Sequence, residues 1–268
     1  LFSASSLLAE HENGPLAGIY DVKVDGDTLI VVGPANVARE ERLRGMAVYD
    51  VSDPASPERT AFHETPYAIH NSYLRDGIAY LTALHPEHVL DQETPARNPV
   101  VMVDVSGDAP EEVGRWSTAD YDEGWLDVFY YTRSNHDVYV QDDVLYVAYW
   151  DAGTWLVDVS EPTDTTVLGR VEAPAPGALR TDGPAPAVTG PGNHHYATLD
   201  ATGTLLAVGK ESFGVRVDDD GDGYRDRTVG GPSGVDLWDV SEPAAPVAES
   251  TIPPPPSDDP TRRGTWTT

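Results

Sequence analysis

The chain has 268 residues, and 17 lysines and arginines stand against 45 aspartates and glutamates, a formal charge of −28. That balance excludes a nucleic acid as partner, because nothing here could neutralise a phosphate backbone. Cysteine is absent, which removes disulfides, thiolate metal sites and cysteine nucleophiles together.

Lys23 and Lys210 are the only lysines. A carboxylate-dense surface that sheds the flexible apolar stem of lysine is the composition expected of a halophile. No apolar run reaches the roughly 18 residues that a membrane span needs, so no span is expected. The opening LFSASSLLA, from Leu1, has no basic residue ahead of its apolar stretch and reads as the remnant of a cut leader or as nothing more than an apolar start. The 24 glycines and 23 prolines predict many tight turns, and hence many short strands.

In chain order one unit recurs four times. It opens on a hairpin: DVKVDGDTLIVVG (residues 21–33), NSYLRDGIAYLTAL (71–84), DVYVQDDVLYVAYW (137–150) and YATLDATGTLLAVG (196–209). In each, two alternating apolar runs flank Asp-Gly, Asp-Asp or Asp-Ala-Thr-Gly, the residues of a short β-turn. A third strand follows and stops at a corner: MAVYDVSDPASP (46–57), VMVDVSGDAP (101–110), TWLVDVSEPTD (154–164) and VDLWDVSEPAAP (235–246). Asp, Ser and Pro there supply side-chain-to-backbone bonds and a fixed φ. The corner aspartates Asp50, Asp104, Asp158 and Asp239 lie 54, 54 and 81 residues apart, so the last interval contains an insertion. A fourth strand comes next, as in ERTAF (58–62), EVGRW (112–116) and TVLGRV (166–171).

Four short strands per unit without helical periodicity between them predict an all-β fold, a β-propeller of four-stranded blades. The expected blades are residues 16–69, 70–135, 136–193 and 194–268 of a single domain. The DVSDP-type corner after an apolar strand resembles the LVIVD-repeat family of bacterial and archaeal surface proteins, here of haloarchaeal type, over about residues 18–250. The resemblance implies a propeller that is commonly exported, extracellular or at the cell surface, and no particular reaction. The chain ends 29 residues after Asp239, whereas earlier units reach their next inner strand 20, 32 and 36 residues after their aspartates. The expectation is therefore part of a larger propeller truncated at its C-terminus, with a four-bladed ring or open arc as the alternative.

His70, His136 and His194 each stand six residues before the turn aspartate, Asp76, Asp142 or Asp200. One structural position, at the start of the innermost strand, would bring them together at the propeller channel. Neutral imidazole ligates zinc, copper, nickel and iron, and three converging nitrogens leave an open fourth position. The competing reading is that a repeat protein copies its structural histidines too. Asn71, Asp137 and His195 come next, and strand alternation points them to the opposite face. Histidines at a propeller's channel are also loosely similar to the selenium-binding protein/methanethiol oxidase family, a likeness that implies a copper site and, at most, a redox class.

The insertion carries DDDGDGYRD, with Asp218, Asp220 and Asp222, then Gly223, Tyr224 through its carbonyl, and Asp226. That is the oxygen-ligand spacing of a calcium loop. Val229 stands where the bidentate glutamate of an EF-hand would be, so the likeness is to loops that staple β-rich extracellular domains. A merely solvated acidic loop is the alternative in so acidic a chain. HPEHVLD (85–91) offers His85, Glu87, His88 and Asp91, with no predicted helix to gather them. Trp125 and Trp150 are expected in packing between blades, or else on a ligand face. Familiar serine-hydrolase, nucleotide-phosphate and dinucleotide signatures are absent.

Two functions follow from these residues. The first is an exported binding scaffold that takes a protein or small-molecule ligand at the propeller face and is stapled by calcium. The second is a metal-dependent enzyme, hydrolytic or redox, using zinc or copper at the channel histidines.

Overall fold

Each repeat folds into a four-stranded antiparallel meander, in a computed structural model that describes residues 16, 18–34, 43–84, 97–180, 192–211, 214–217, 227–230 and 234–253. The first sheet joins β1 (Asp21–Asp25), β2 (Thr28–Gly33), β3 (Gly45–Asp50) and β4 (Glu58–Glu64); the second joins β5 (Ala68–Arg75), β6 (Ile78–Leu84), β7 (Val100–Asp104) and β8 (Glu111–Trp116). The third is β9 (Asp137–Gln141), β10 (Val144–Ala148), β11 (Thr154–Asp158) and β12 (Thr166–Val171). The fourth is β13 (His194–Leu199), β14 (Leu205–Lys210), β17 (Gly234–Asp239) and β18 (Val247–Ile252), interrupted by a two-stranded ribbon of β15 (Gly214–Val217) and β16 (Arg227–Gly230). This is the expected all-β architecture, with four blades and the insertion in the fourth. The second blade opens at Ala68.

Turn chemistry sets the register of the hairpins. Asp25 pairs with Thr28 around Gly26, Arg75 with Ile78 around Asp76 and Gly77, and Gln141 with Val144 around Asp142 and Asp143. The last two pairs hold positive φ at both central residues, 49° and 78°, then 51° and 60°. That backbone matches the twist of the flanking strands, and Asp and Gly tolerate it.

The corners close in one way. The amides of Ser52, Ser106 and Ser241 donate to Asp50, Asp104 and Asp239, each at 2.8 Å. Hydrogen bonds from these serines hold all three carboxyls below the usual aspartate value. The following valines tie each corner to its own hairpin turn, Val51 to Asp27, Val105 to Gly77 and Val240 to Thr204.

Each outer strand then carries one extra residue, Thr60, Val113, Leu168 or Glu249, at the same step of the ladder. Next to two of these bulges a glycine meets the corner of the following repeat. A Cβ on Gly114 would lie 2.0 Å from the Pro162 carbonyl, and one on Gly169 1.9 Å from that of Pro243. The bulged strand and the missing side chain let the backbones touch there.

The chain groups into two compact units, Leu1–Asp122 with Val159–Thr165 and Glu123–Asp158 with Thr166–Thr268. In the first, Ile30, Val32, Met46, Ile69, Leu81, Val101 and Val103 form the core between its blades. Asp21 there accepts the Ser72 amide at 2.9 Å and its hydroxyl at 2.8 Å. In the second, Tyr146, Leu156, Val171, Ala197, Leu206, Val208 and Val240 play the same part. A short helix, α1 (Thr118–Tyr121), departs from the all-strand expectation; the Ser117 amide donates to Asp120 at 2.8 Å across its first turn. Among the described residues no helix is long and apolar enough to cross a membrane.

Candidate metal centre

Three ligand-type side chains come together at the first two strands of the blades in the second unit. His136 precedes β9, with its amide on the Ala148 carbonyl at 2.8 Å. On the next blade, β13 pairs His194 with Lys210 but Tyr196 with Gly209, so His195 is an extra residue in the ladder. A bulge re-aims a side chain. It overturns the alternation that pointed His195 away from its neighbours: the His195 ring lies 3.9 Å, centroid to centroid, from that of His136.

Glu211 completes the group from the end of β14, its amide on the Asn193 carbonyl at 3.0 Å. Its carboxylate reaches His195 Nε2 at 3.3 Å. One ligand atom from each of His136, His195 and Glu211 lies within 4.8 Å of the others, and all three side chains are partly exposed. Burial pushes the Glu211 carboxyl up. Among the described residues this is the one trio of such side chains. Tetrahedral coordination at about 2.0–2.2 Å sets neighbouring ligand atoms about 3.3–3.5 Å apart, so the His195–Glu211 edge already has the required length. Two imidazoles and one carboxylate suit zinc, iron(II), copper(II) or nickel and leave positions open.

The residues around the trio are held under local strain. Trp150 stacks on His136 at 5.3 Å and 29°, and lies edge-on to His195 at 6.4 Å. Trp150, Glu172 and Asn193 all adopt positive φ, at 49°, 49° and 50°. For residues other than glycine that backbone is sparsely populated, and it gathers at functional sites. Asp151 follows Trp150, accepts the Asn193 amide at 2.9 Å, and abuts Gly192, whose added Cβ would sit 2.2 Å from the Asp151 carboxylate. Burial raises the Asp151 carboxyl to about 6, against the lowering effect of that amide.

The bulge also decides what becomes of His194. It takes the pairing place that Asp137 holds in the preceding blade, opposite Ala148 there and Lys210 here. With a side-chain exposure of 0%, its Nδ1 lies 2.7 Å from the Thr154 hydroxyl and its Nε2 3.0 Å from Glu172. Burial depresses the imidazole, with Glu172 acting in the opposite sense. Hydrogen bonding to His194, against burial and together with Lys210, holds Glu172 down to about 2. The network assigns a neutral ring that donates from Nε2 and accepts at Nδ1. Lys210 reaches Glu172 at 2.6 Å and also pairs with Asp236. His194 thus belongs to a buried polar network.

Of the other sequence candidates, His70 is the third residue of β5 in the first unit, its ring 6.2 Å from that of Tyr20. Within the second unit the structure gathers His136 with His195 and Glu211, while His194 bonds to Thr154 and Glu172. The doublet His194-His195 was the available sign of a bulge; Glu211, one residue past a strand end, gave none. Asp218, Asp220, Asp222, Tyr224 and Asp226, like HPEHVLD, lie outside the described residues. Trp125 and Trp150 are buried, and Trp125 packs edge-on against Trp155 at 6.0 Å.

Against known proteins, the LVIVD repeat matches residues 132–173, which hold the whole third blade. No curated protein matches the chain in sequence. Among solved structures it is similar to the periplasmic gluconolactonase PpgL of Pseudomonas aeruginosa, at 11% identity and a TM-score of 0.54, over 87% of this chain and 56% of that one. The computationally designed Ika8 protein matches at 7% identity and a TM-score of 0.46, over 85% of this chain and 47% of that one. The chain thus spans about half the length of these structures. At such identity the first likeness is one of fold, and it agrees with the four blades. The protein is an all-β, propeller-type protein carrying an LVIVD repeat.

Proposed function

We propose that this protein works through a divalent first-row transition-metal ion held by His136, His195 and Glu211. The observation that carries the reading is the bulge at His195, which turns three segments of two blades into one group of ligand atoms within 4.8 Å. Such an ion polarises an oxygen donor placed on an open position, or lowers the pKa of a bound water. Trp150, buried and stacked on His136, fixes that ring and keeps water from one side of it. The charge of −28 supports a working environment of high ionic strength, and the repeat supports export. The aspartate loop from Asp218 to Asp226 takes calcium as a separate structural ion; its place between the paired strands β15 and β16 favours this.

Elemental analysis of protein purified in high salt without chelator tests the proposal. The expected result is one transition metal per chain, lost in Glu211→Gln and His195→Ala and kept in His194→Gln. An unchanged metal content in the first two variants, with native circular dichroism, would overturn it. Calcium is read in the same samples and should disappear only in an Asp220→Asn/Asp222→Asn variant.

A further inference from the structure

Beside the trio lies a pocket of about 220 Å³, lined by His195, Tyr196, Gly209, Lys210, Glu211, Gly234, Val235, Ile252 and Pro253. Its plan follows from the ladder. Tyr196 pairs with Gly209, Gly209 with Val235, and Val235 with Ile252, so one row crosses all four strands of the fourth blade. Cross-strand partners share a face. Gly209 leaves the row low in the middle, between a tyrosine and an isoleucine that are 47% and 52% exposed. The result is a trough with apolar walls that ends at His195 and Glu211.

From this we propose that the trough binds a small monocarboxylate with an apolar body about the size of one aromatic ring, its carboxylate taken by the metal; the inference rests on the metal reading above. Size sets the body. A cavity of about 150 Å³ accommodates benzene, so 220 Å³ leaves room for one ring and a short head group. Charge sets the head. A divalent ion on two neutral imidazoles and one carboxylate keeps a net positive charge, which an anionic oxygen donor neutralises. The other cation in the lining, Lys210, is already committed to Glu172 and Asp236. Without the ion, the Glu211 carboxylate at the end of the trough repels an anion. Carboxylate binding is therefore metal-dependent, while the apolar body decides among carboxylates.

Cobalt(II) loaded into the full chain provides the probe, because its visible spectrum reports its own coordination. Benzoate is titrated at about 1 M salt, where a Debye length of about 3 Å screens the acidic surface, with acetate and benzyl alcohol alongside. Benzoate should change the spectrum saturably and at least about tenfold more tightly than acetate, and benzyl alcohol should not compete at equal concentration. Gly209→Val fills the trough at a position where an added Cβ meets only Tyr196, its Cβ at 3.8 Å and its carbonyl oxygen at 3.9 Å, both ordinary contacts. It should weaken benzoate about tenfold and leave cobalt affinity unchanged, as should Tyr196→Ala in direction. Cobalt bound with benzoate silent, or bound no better than acetate, refutes the trough and leaves the metal reading standing. Cobalt that fails to bind at one per chain removes both.

Discussion

Replacing Asp151 with asparagine should make the protein more resistant to unfolding at neutral pH, by an amount that shrinks in acid. The residue is 5% exposed, and the folded-state pKa of its carboxyl is about 6 because burial penalises the charge more than the Asn193 amide stabilises it. In the unfolded chain it ionises near the ordinary 3.8. Between those values the folded state holds the proton that the unfolded state has released, so stability falls as pH rises from about 4 to about 6 and stays lowered above that. The gap is worth about 3 kcal/mol at neutral pH and about 1 kcal/mol near pH 4.5. Asparagine keeps an oxygen for the Asn193 amide and carries no charge. Its advantage over the natural residue should therefore grow by about 2 kcal/mol between about pH 4.5 and about pH 7.5, or about 4–8 °C in Tm for a chain of this size. Thermal unfolding followed by circular dichroism at fixed high salt reads the difference. An advantage that does not vary with pH would show that Asp151 is not held protonated by its surroundings, and the argument from burial would fall.

Three further outcomes are expected. Gly169→Ala drives a Cβ into the Pro243 carbonyl, at 1.9 Å, and should cost about 3 kcal/mol, whereas Gly177→Ala, with nothing within 4 Å, should stay within about 0.5 kcal/mol; equal urea midpoints for the two would contradict the packing of bulge against corner. His194, with a folded-state pKa depressed by burial, makes the protein lose stability as pH falls below about 6.5; His194→Gln should flatten that limb, and a limb of unchanged slope would assign it elsewhere. With a charge of −28, dilute buffer should lower the unfolding midpoint through self-repulsion, and strand circular dichroism equally heat-resistant with and without salt would count against a surface adapted to high ionic strength.

What could be read from the sequence was whatever depends on residues close together in the chain. Asp76-Gly77 and Asp142-Asp143 announce hairpins because their own backbone preferences make the turn, and the Asp50, Asp104 and Asp239 corners because each aspartate bonds an amide two residues on. The position shared by His70, His136 and His194 was equally legible as a spacing. Its consequence was not, since spacing assumes an unbroken ladder, and the ladder breaks between His194 and Tyr196. One extra residue is enough to send His194 into the buried network of Thr154 and Glu172 and to bring His195 beside His136. Glu211 was hidden for another reason: it acts from just beyond a strand end, where its partners come from β13 and from the residue before β9, and no local pattern records that meeting.

The bulge alone does not make the group, since β5 shifts register at the equivalent step, between Ile69 and Ser72, but has Asn71 where the fourth blade has His195. A ligand set made from a repeated position would be symmetric, and each copy would have to serve the packing of its own blade. Here the duties are divided between neighbours in sequence. His194 fills the regular pairing place and satisfies Glu172, which Lys210 also holds. His195, the extra residue at the bulge, faces His136 and Glu211. Substituting His194 should therefore register chiefly in stability and its pH dependence, and substituting His195 chiefly in metal content. A variant pair that showed the reverse would mean that the two histidines exchange roles in solution, with the bulge displaced by one residue. Such a displacement would leave the pairings on either side unchanged and exchange only these two side chains, and the bonds of His194 to Thr154 and Glu172 oppose it.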